Sequence, residues 1–250
     1  MTYQMAMTKN LRRFLNAVGE LMDRPEGTEG MGLLWGEPGE GKSTAVAYVV
    51  SVMDGVFVRA VGCWTVTSML GELCKELGGH RMLRRSDMID YITQKLADNP
   101  RPIFIDEADY LFRQFEMMDA LRDIYDVSGC PVILIGMEDI ARKLQAHGRF
   151  ARRITQWVEF KGVDLDDARV LGETVCKVKV EKDLLAYLHQ ASRANVGRMV
   201  IGFSKIERMA KASGLTSVSL EQWGERELFY DQPVFASRRG ANGNGNGGKS

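Results

Sequence analysis

Gly36-Glu37-Pro38-Gly39-Glu40-Gly41-Lys42-Ser43 decides how this chain is read. The eight residues fit G-x-x-x-x-G-K-[ST], the loop that cradles phosphates. The apolar run Met31-Gly32-Leu33-Leu34-Trp35 precedes it and reads as a buried strand. Ser43-Thr44-Ala45-Val46-Ala47-Tyr48-Val49-Val50 follows and reads as the start of an apolar helix. Strand, glycine loop and helix form the context this motif requires. Glycines let successive N–H groups turn toward the phosphates, and the positive end of the helix adds to the attraction. The expected nucleotide contacts are Gly36, Glu37, Pro38, Gly39, Glu40, Gly41, Lys42, Ser43 and Thr44. Lys42 supplies a point charge to the β- and γ-phosphates, and the Ser43 hydroxyl is a Mg²⁺ ligand.

The whole chain sets the bounds. Its 250 residues suit one large domain or two small ones. A hydrophobic share of 45% and a charged share of 26% are those of an ordinary globular protein. With 33 basic and 33 acidic residues the formal net charge is zero, so contact with nucleic acid has to come from local patches. Cys63, Cys74, Cys130 and Cys176 show no C-x-x-C spacing and read as reduced, mostly buried small hydrophobes. There is no signal-peptide pattern and no apolar run long enough to span a bilayer. A soluble cytoplasmic protein with no membrane partner is the expectation.

Outward from the loop, the chain alternates short apolar strands with helices. A helical pattern runs from Thr8 through Leu11, Phe14, Leu15, Val18 and Leu21 to Met22, within an N-terminal linker of residues 1–30. Strands are predicted at residues 56–61, 103–106, 132–136 and 157–160. Helices are predicted over residues 67–77, 86–97 and 138–146 and from after Asp109 to about Tyr125, with Ser86 as an N-cap. This alternation specifies an α/β fold with a five-stranded parallel sheet between helices, spanning residues 31–162. From residue 163 to 232 no strand is predicted. Helices at 166–176, 182–192, 196–212 and 219–227 define a small all-α lid. Residues 233–250 are glycine- and asparagine-rich and are expected to be disordered.

A second motif adds chemistry. Ile103-Phe104-Ile105-Asp106-Glu107 is an apolar strand that ends in two carboxylates. In an open parallel sheet the ligand sits at the carboxyl ends of the strands, which turns Asp106 toward the phosphate loop. Asp106 is expected to hold Mg²⁺ together with Ser43, and Glu107 to orient the attacking water. Asp106-Glu107-Ala108-Asp109 also spells an RNA-helicase motif, but no second set of helicase motifs accompanies it. A small-molecule kinase would use the same phosphate loop. It would not need Glu107, and it would carry an arginine-rich lid inserted in the core. The basic stretch at Arg149, Arg152 and Arg153 lies instead before the fifth strand, where a neighbouring subunit can use it.

Together these motifs, with Asn195-Val196-Gly197-Arg198 in the lid, resemble an AAA+ ATPase. Within that class the chain resembles the DNA-transposition regulators of the MuB and TnsC/TniB type. The likeness covers residues 8–215 and is carried by Thr8-Lys9-Asn10, the phosphate loop and residues 104–110, 132–137, 149–153 and 197–198. It implies that Asp106 is the Walker B metal residue, Glu107 the catalytic glutamate and Lys42 a catalytic phosphate contact. Arg149 is the implied arginine finger, with Arg152 or Arg153 as substitutes, and Arg198 the lid sensor touching nucleotide.

The resemblance further implies ATP and Mg²⁺ as cofactors, slow ATP hydrolysis, and a ring or helical filament on double-stranded DNA that delivers target sites to a transposase. A helicase loader or initiator-like ATPase is the alternative within the fold. One departure stands out: the family's polar sensor at the end of the fourth strand is replaced by Gly136-Met137-Glu138. DNA contacts are expected from the ATPase ring itself, at Arg81, Arg84, Arg85 and Arg113, through phosphates rather than bases.

Overall fold

The computed structural model describes residues 5–80 and 82–229. Five parallel strands form the central sheet: β1 (Met31–Gly36), β2 (Val56–Arg59), β3 (Ile103–Asp106), β4 (Val132–Gly136) and β5 (Ile154–Phe160). Their order is β2-β3-β4-β1-β5, which places the strand before the phosphate loop between β4 and β5. The alternation of side chains explains why these strands read as continuous apolar runs. Met31, Leu33, Ile103, Ile105, Val132 and Leu134 point into one core layer, and Leu34, Phe104, Ile133 and Ile135 into the other.

Helices α1 (Lys9–Met22) and α2 (Lys42–Val52) cover the second of these faces. Phe14 of α1 meets Phe104 and Phe160 edge-on there, with ring centroids 6.3 and 6.2 Å apart. The opposite face is covered by α3 (Val66–Glu76), α4 (Arg85–Asp98) and α5 (Phe115–Ser128). Two further helices, α6 (Asp139–Ala146) and the short α7 (Gly148–Ala151), connect β4 to β5.

Several boundaries differ from the sequence reading. The capping role expected of Ser86 is absent: α4 starts at Arg85, Arg84 occupies the cap position, and the Ser86 hydroxyl donates to Asp87 instead. Thr65 makes the true side-chain cap in this region, in a reciprocal pair with Ser68 at the start of α3. The helix expected from after Asp109 to about Tyr125 is divided: Ala108–Arg113 is a 3₁₀ segment, and α5 begins only after an extended Gln114. β5 starts three residues earlier than expected, because Met31 pairs with Ile154 across a register shift.

The C-terminal unit holds α8 (Leu165–Val175), α9 (Lys182–Ala191), α10 (Val196–Ala212) and α11 (Leu220–Trp223). It also contains two strands that the sequence reading left out, β6 (Lys179–Val180) and β7 (Ser217–Val218), paired in parallel. Two-residue strands carry too little periodicity to be read from sequence. Leu184, Leu188, Met199, Phe203, Ile206 and Trp223 form the core of this unit. The expectation for residues 233–250 lies outside the described residues.

At the joint between the units, the N-terminal segment acts as a clasp. Thr8 caps α1 by accepting from the Leu11 amide. The Lys9 amide donates to both oxygens of buried Asp167 at 3.0 and 3.1 Å, and its ammonium pairs with Asp164. Asn10 donates to the Lys161 carbonyl at 2.6 Å. Two consecutive residues, Lys9 and Asn10, thus tie β5's exit and α8 to the start of α1. Among the described residues, no helix is long and apolar enough to cross a membrane.

Candidate nucleotide site

The glycines of the loop are used for conformation and for close approach. Gly39 and Gly41 both sit at φ +84°, in the left-handed region where an L side chain is strained. A Cβ on Gly36 would lie 2.4 Å from the Phe160 carbonyl oxygen, so glycine is required where the loop leaves the sheet beside β5. The helix that follows starts at Lys42 with Gly41 as its cap, so its free N–H groups face the loop. Lys42 Nζ donates to the carbonyls of Gly36 and Glu37 at 2.6 and 2.8 Å. Burial lowers the pKa of this ammonium, against an opposite pull from Glu40, Glu107, Asp106 and Asp109. A phosphate would reverse that penalty.

A cavity of about 530 Å³ opens over the loop. Pro38, Gly39, Gly41, Lys42, Ser43 and Thr44 line it on one side, Asp106, Glu107, Ile135, Gly136 and Met137 at the strand ends, and Val196, Gly197 and Val200 from α10. The structure therefore brings together the phosphate loop and the strand-end carboxylates, which lie far apart in sequence. Ser43 and Asp106 border the same space and offer the hard oxygen donors that suit Mg²⁺. Glu107 stands at φ +54°, ψ +36°, a left-handed conformation rare for a residue with a side chain. Such strain clusters at functional positions.

Asp106 is almost fully buried. Its Oδ1 accepts the Glu107 amide at 2.9 Å, and its Oδ2 accepts from Arg59 Nε at 2.9 Å and Arg59 Nη2 at 2.8 Å. Arg59 is a site residue the sequence reading missed. It ends β2 directly across from Asp106, a pairing set by strand order and visible only once β2 is known to adjoin β3.

The missing polar sensor also has a structural reason. Asp109 Oδ2 accepts the Met137 amide at 2.9 Å, and Lys143 reaches Asp109 Oδ1 at 3.4 Å. A Cβ on Gly136 would lie 2.5 Å from Asp109 Oδ2. Asp109 and Ile140 thus occupy the corner that a larger strand-end residue would need.

The lid meets the loop through Asn195. Its Nδ2 donates to the Pro38 carbonyl at 2.9 Å and lies 3.4 Å from Glu40 Oε1, while Gly197 N–H donates to the Gly39 carbonyl at 2.8 Å. Glu40 is 7% exposed and its Oε2 is buried without a hydrogen bond. Burial raises its pKa, partly offset by the Asn195 amide. Arg198, expected to touch nucleotide, does not line the cavity. Its guanidinium carbon lies 4.5 Å from the centroid of the Phe229 ring, and its Nη2 is 3.5 Å from the Ala191 carbonyl.

The three arginines before β5 stay close together, with Arg153 Nη1 donating to the Arg149 carbonyl at 3.3 Å, but their side chains differ in partners. Arg149 is exposed on α7, and Arg152 Nε donates to the Gly148 carbonyl at 3.2 Å. Arg153 is held by Asp126, with Nη2 3.0 Å from Oδ2. Of the DNA candidates, Arg84 is exposed at the start of α4, and Arg85 Nε donates to Thr67 Oγ1 at 2.9 Å. Arg113 lies over the Tyr110 ring at 4.9 Å and near the Gly62 carbonyl. Arg85 and Arg113 thus bracket the turn from β2 into α3. Arg81 lies outside the described residues.

Residues 24–144 match the AAA domain family, a span that contains both the phosphate loop and the strand-end carboxylates. Over that span the chain is similar to an AAA domain. No curated protein matches the sequence. Among solved structures, the fold is similar to Cdc6p from Pyrobaculum aerophilum, at 14% identity and a TM-score of 0.59, over 83% of this chain and 62% of that one. It is similar at 14% identity and TM-score 0.59 to the Aeropyrum pernix ORC1 protein in complex with DNA, over 85% and 62% of the two chains. The A. pernix ORC2 protein in its ADPNP–ADP complexes matches at 12% identity and TM-score 0.63, over 85% and 64%. The chain thus spans about 62% of the length of the first two of these structures.

Proposed function

We propose that this protein is an ATP-driven AAA+ switch of the initiator or helicase-loader type that assembles on duplex DNA. One observation carries the reading. A single cavity is bounded by the phosphate loop, by Asp106 and Glu107, and by the first turn of α10. Nucleotide placed there touches the sheet and the lid together, so binding energy is available for holding the two units in one arrangement. Lys42 and the loop amides bind the phosphates, Ser43 and Asp106 hold Mg²⁺, and Glu107 orients water. Held by Ser43 and Asp106, a Mg²⁺ ion would supply neutralisation of phosphate charge.

Arg149, exposed on α7 just before β5, is the arginine offered to a neighbouring subunit's nucleotide. Similarity to the Cdc6 and ORC structures supports the initiator-like reading over other uses of the fold. The DNA contacts are phosphate contacts by Arg84, Arg85 and Arg113. Transposition target delivery is a second reading, favoured by the sequence motifs at residues 8–10 and 149–153. Both readings share ATP-dependent assembly, and they part over the partner.

Two measurements test this. Lys42→Ala should abolish nucleotide binding, and nucleotide-dependent assembly on DNA with it; assembly that persists in this variant would overturn the switch. Co-purification of a replicative helicase supports the initiator reading, and capture of a transposase the second one.

A further inference from the structure

The contact between lid and phosphate loop holds more order than a passive packing needs. Asn195 uses its side chain at both ends. Oδ1 accepts the Arg198 amide at 3.1 Å and so caps α10, while Nδ2 reaches Pro38 O and Glu40 Oε1. The preceding Arg193 and Ala194 both stand at positive φ, +56° and +60°, a conformation that residues with side chains adopt rarely. That turn aims Asn195 at the loop. It also rests on the joint between the units, since the Val163 amide donates to the Ala194 carbonyl at 3.0 Å and a Cβ on Gly162 would lie 2.9 Å from Ala194 Cβ. Pro38, Gly39 and Glu40 are thereby linked through Asn195 and a strained turn to the hinge at Gly162 and Val163.

We propose that Asn195 is a positioning residue that couples phosphate occupancy of the loop to the setting of the lid; this rests on the nucleotide-switch reading above. The loop conformation that turns its amides toward phosphates also presents the carbonyls of Pro38 and Gly39 to α10. Whatever stabilises the first stabilises the second, and by linkage a docked lid strengthens nucleotide binding by the same factor. Glu40 gives the amide a second acceptor, in a buried place where no other described group uses that oxygen.

The test separates capping from coupling. Serine is a good helix cap but too short to reach Pro38. Asn195→Ser should keep α10 folded and melt only slightly below the wild type, while binding a slowly hydrolysed ATP analogue about tenfold more weakly, the loss expected for one or two hydrogen bonds. Asn195→Asp keeps the cap but turns an acceptor toward Pro38 and Glu40, and should lose more. Pairing it with Glu40→Gln restores one donor–acceptor pair and should recover part of the loss.

The decisive readout is hydrogen exchange at residues 196–203 with and without the analogue. In the wild type, nucleotide should slow exchange there; in Asn195→Ser under saturating analogue it should not. Equal nucleotide-induced protection in both proteins overturns the coupling. So does wild-type protein that binds analogue with no change at these amides. Wild-type protein that binds no analogue, as Lys42→Ala should not, overturns the nucleotide reading itself.

Discussion

Replacing Glu107 by glycine tests whether the site stores strain. At φ +54°, ψ +36° the native glutamate occupies the left-handed region, which costs an L-residue about 1–2 kcal/mol. Glycine adopts it freely but adds about 0.5–1 kcal/mol of backbone entropy to the unfolded chain. Among the described residues, no hydrogen bond uses the Glu107 carboxylate, so little is lost by removing it. Taken at mid-range, about 1.5 less about 0.75 kcal/mol, the two terms leave Glu107→Gly about 0.75 kcal/mol more stable than the native protein.

Glutamine keeps the strain, so Glu107→Gln should match the wild type in stability. Urea denaturation of the three proteins measures the difference as a shift in midpoint at constant slope. In a thermal scan the same gain corresponds to about 2–4 °C per kcal/mol for a protein of this size. Steady-state phosphate release should fall in both variants, because the water-orienting carboxylate is gone. A glycine variant no more stable than the glutamine variant would show that the left-handed turn is not strained, and the link from strain to function would fail.

Other outcomes follow from the same geometry. Gly36→Ala drives a methyl into the Phe160 carbonyl at 2.4 Å, so β1 and β5 must part; loss of nucleotide affinity with a destabilisation above about 2 kcal/mol is expected in denaturant titrations. Glu40 has its pKa raised by burial, so the folded state binds a proton more tightly than the unfolded one, and this group's contribution falls as pH rises from the unfolded value of 4.5 through the folded one. Glu40→Gln should therefore be more stable than the wild type at neutral pH, with the advantage vanishing at and below pH 4.5. Arg153→Ala should lower stability by removing the Asp126 pair, while Arg149→Ala should leave the melting curve unchanged and reduce hydrolysis only in the assembled state. Simultaneous Arg84→Ala and Arg85→Ala should weaken DNA binding for all sequences alike and flatten its salt dependence by about two contacts.

The parts legible in the sequence are those whose cause is local. The run from Met31 to Val50 announces strand, loop and helix because apolar content, glycines and the lysine all act within a few residues. The apolar strands betray a sheet buried on both faces, since Leu33 and Leu34 pack into opposite layers. Capping was less legible. Ser86 has the chemistry of a cap but lies one residue inside α4, where local preference yields to the packing of Met88 and Ile92.

By itself the sequence determined that a phosphate loop and a strand-end pair of carboxylates sit on a parallel α/β sheet. Only tertiary structure decided their neighbours. Strand order placed Arg59 on Asp106, the β3–β4 corner put Asp109 where a sensor was sought, and α5 drew Arg153 onto Asp126. It also set Arg198 over the Phe229 ring and brought Asn195 to the loop from 155 residues away along the chain. The physical reason is that hydrogen bonds and ion pairs act over a few ångströms, while the residues that make them here are separated by tens to more than a hundred positions, a distance that only folding removes.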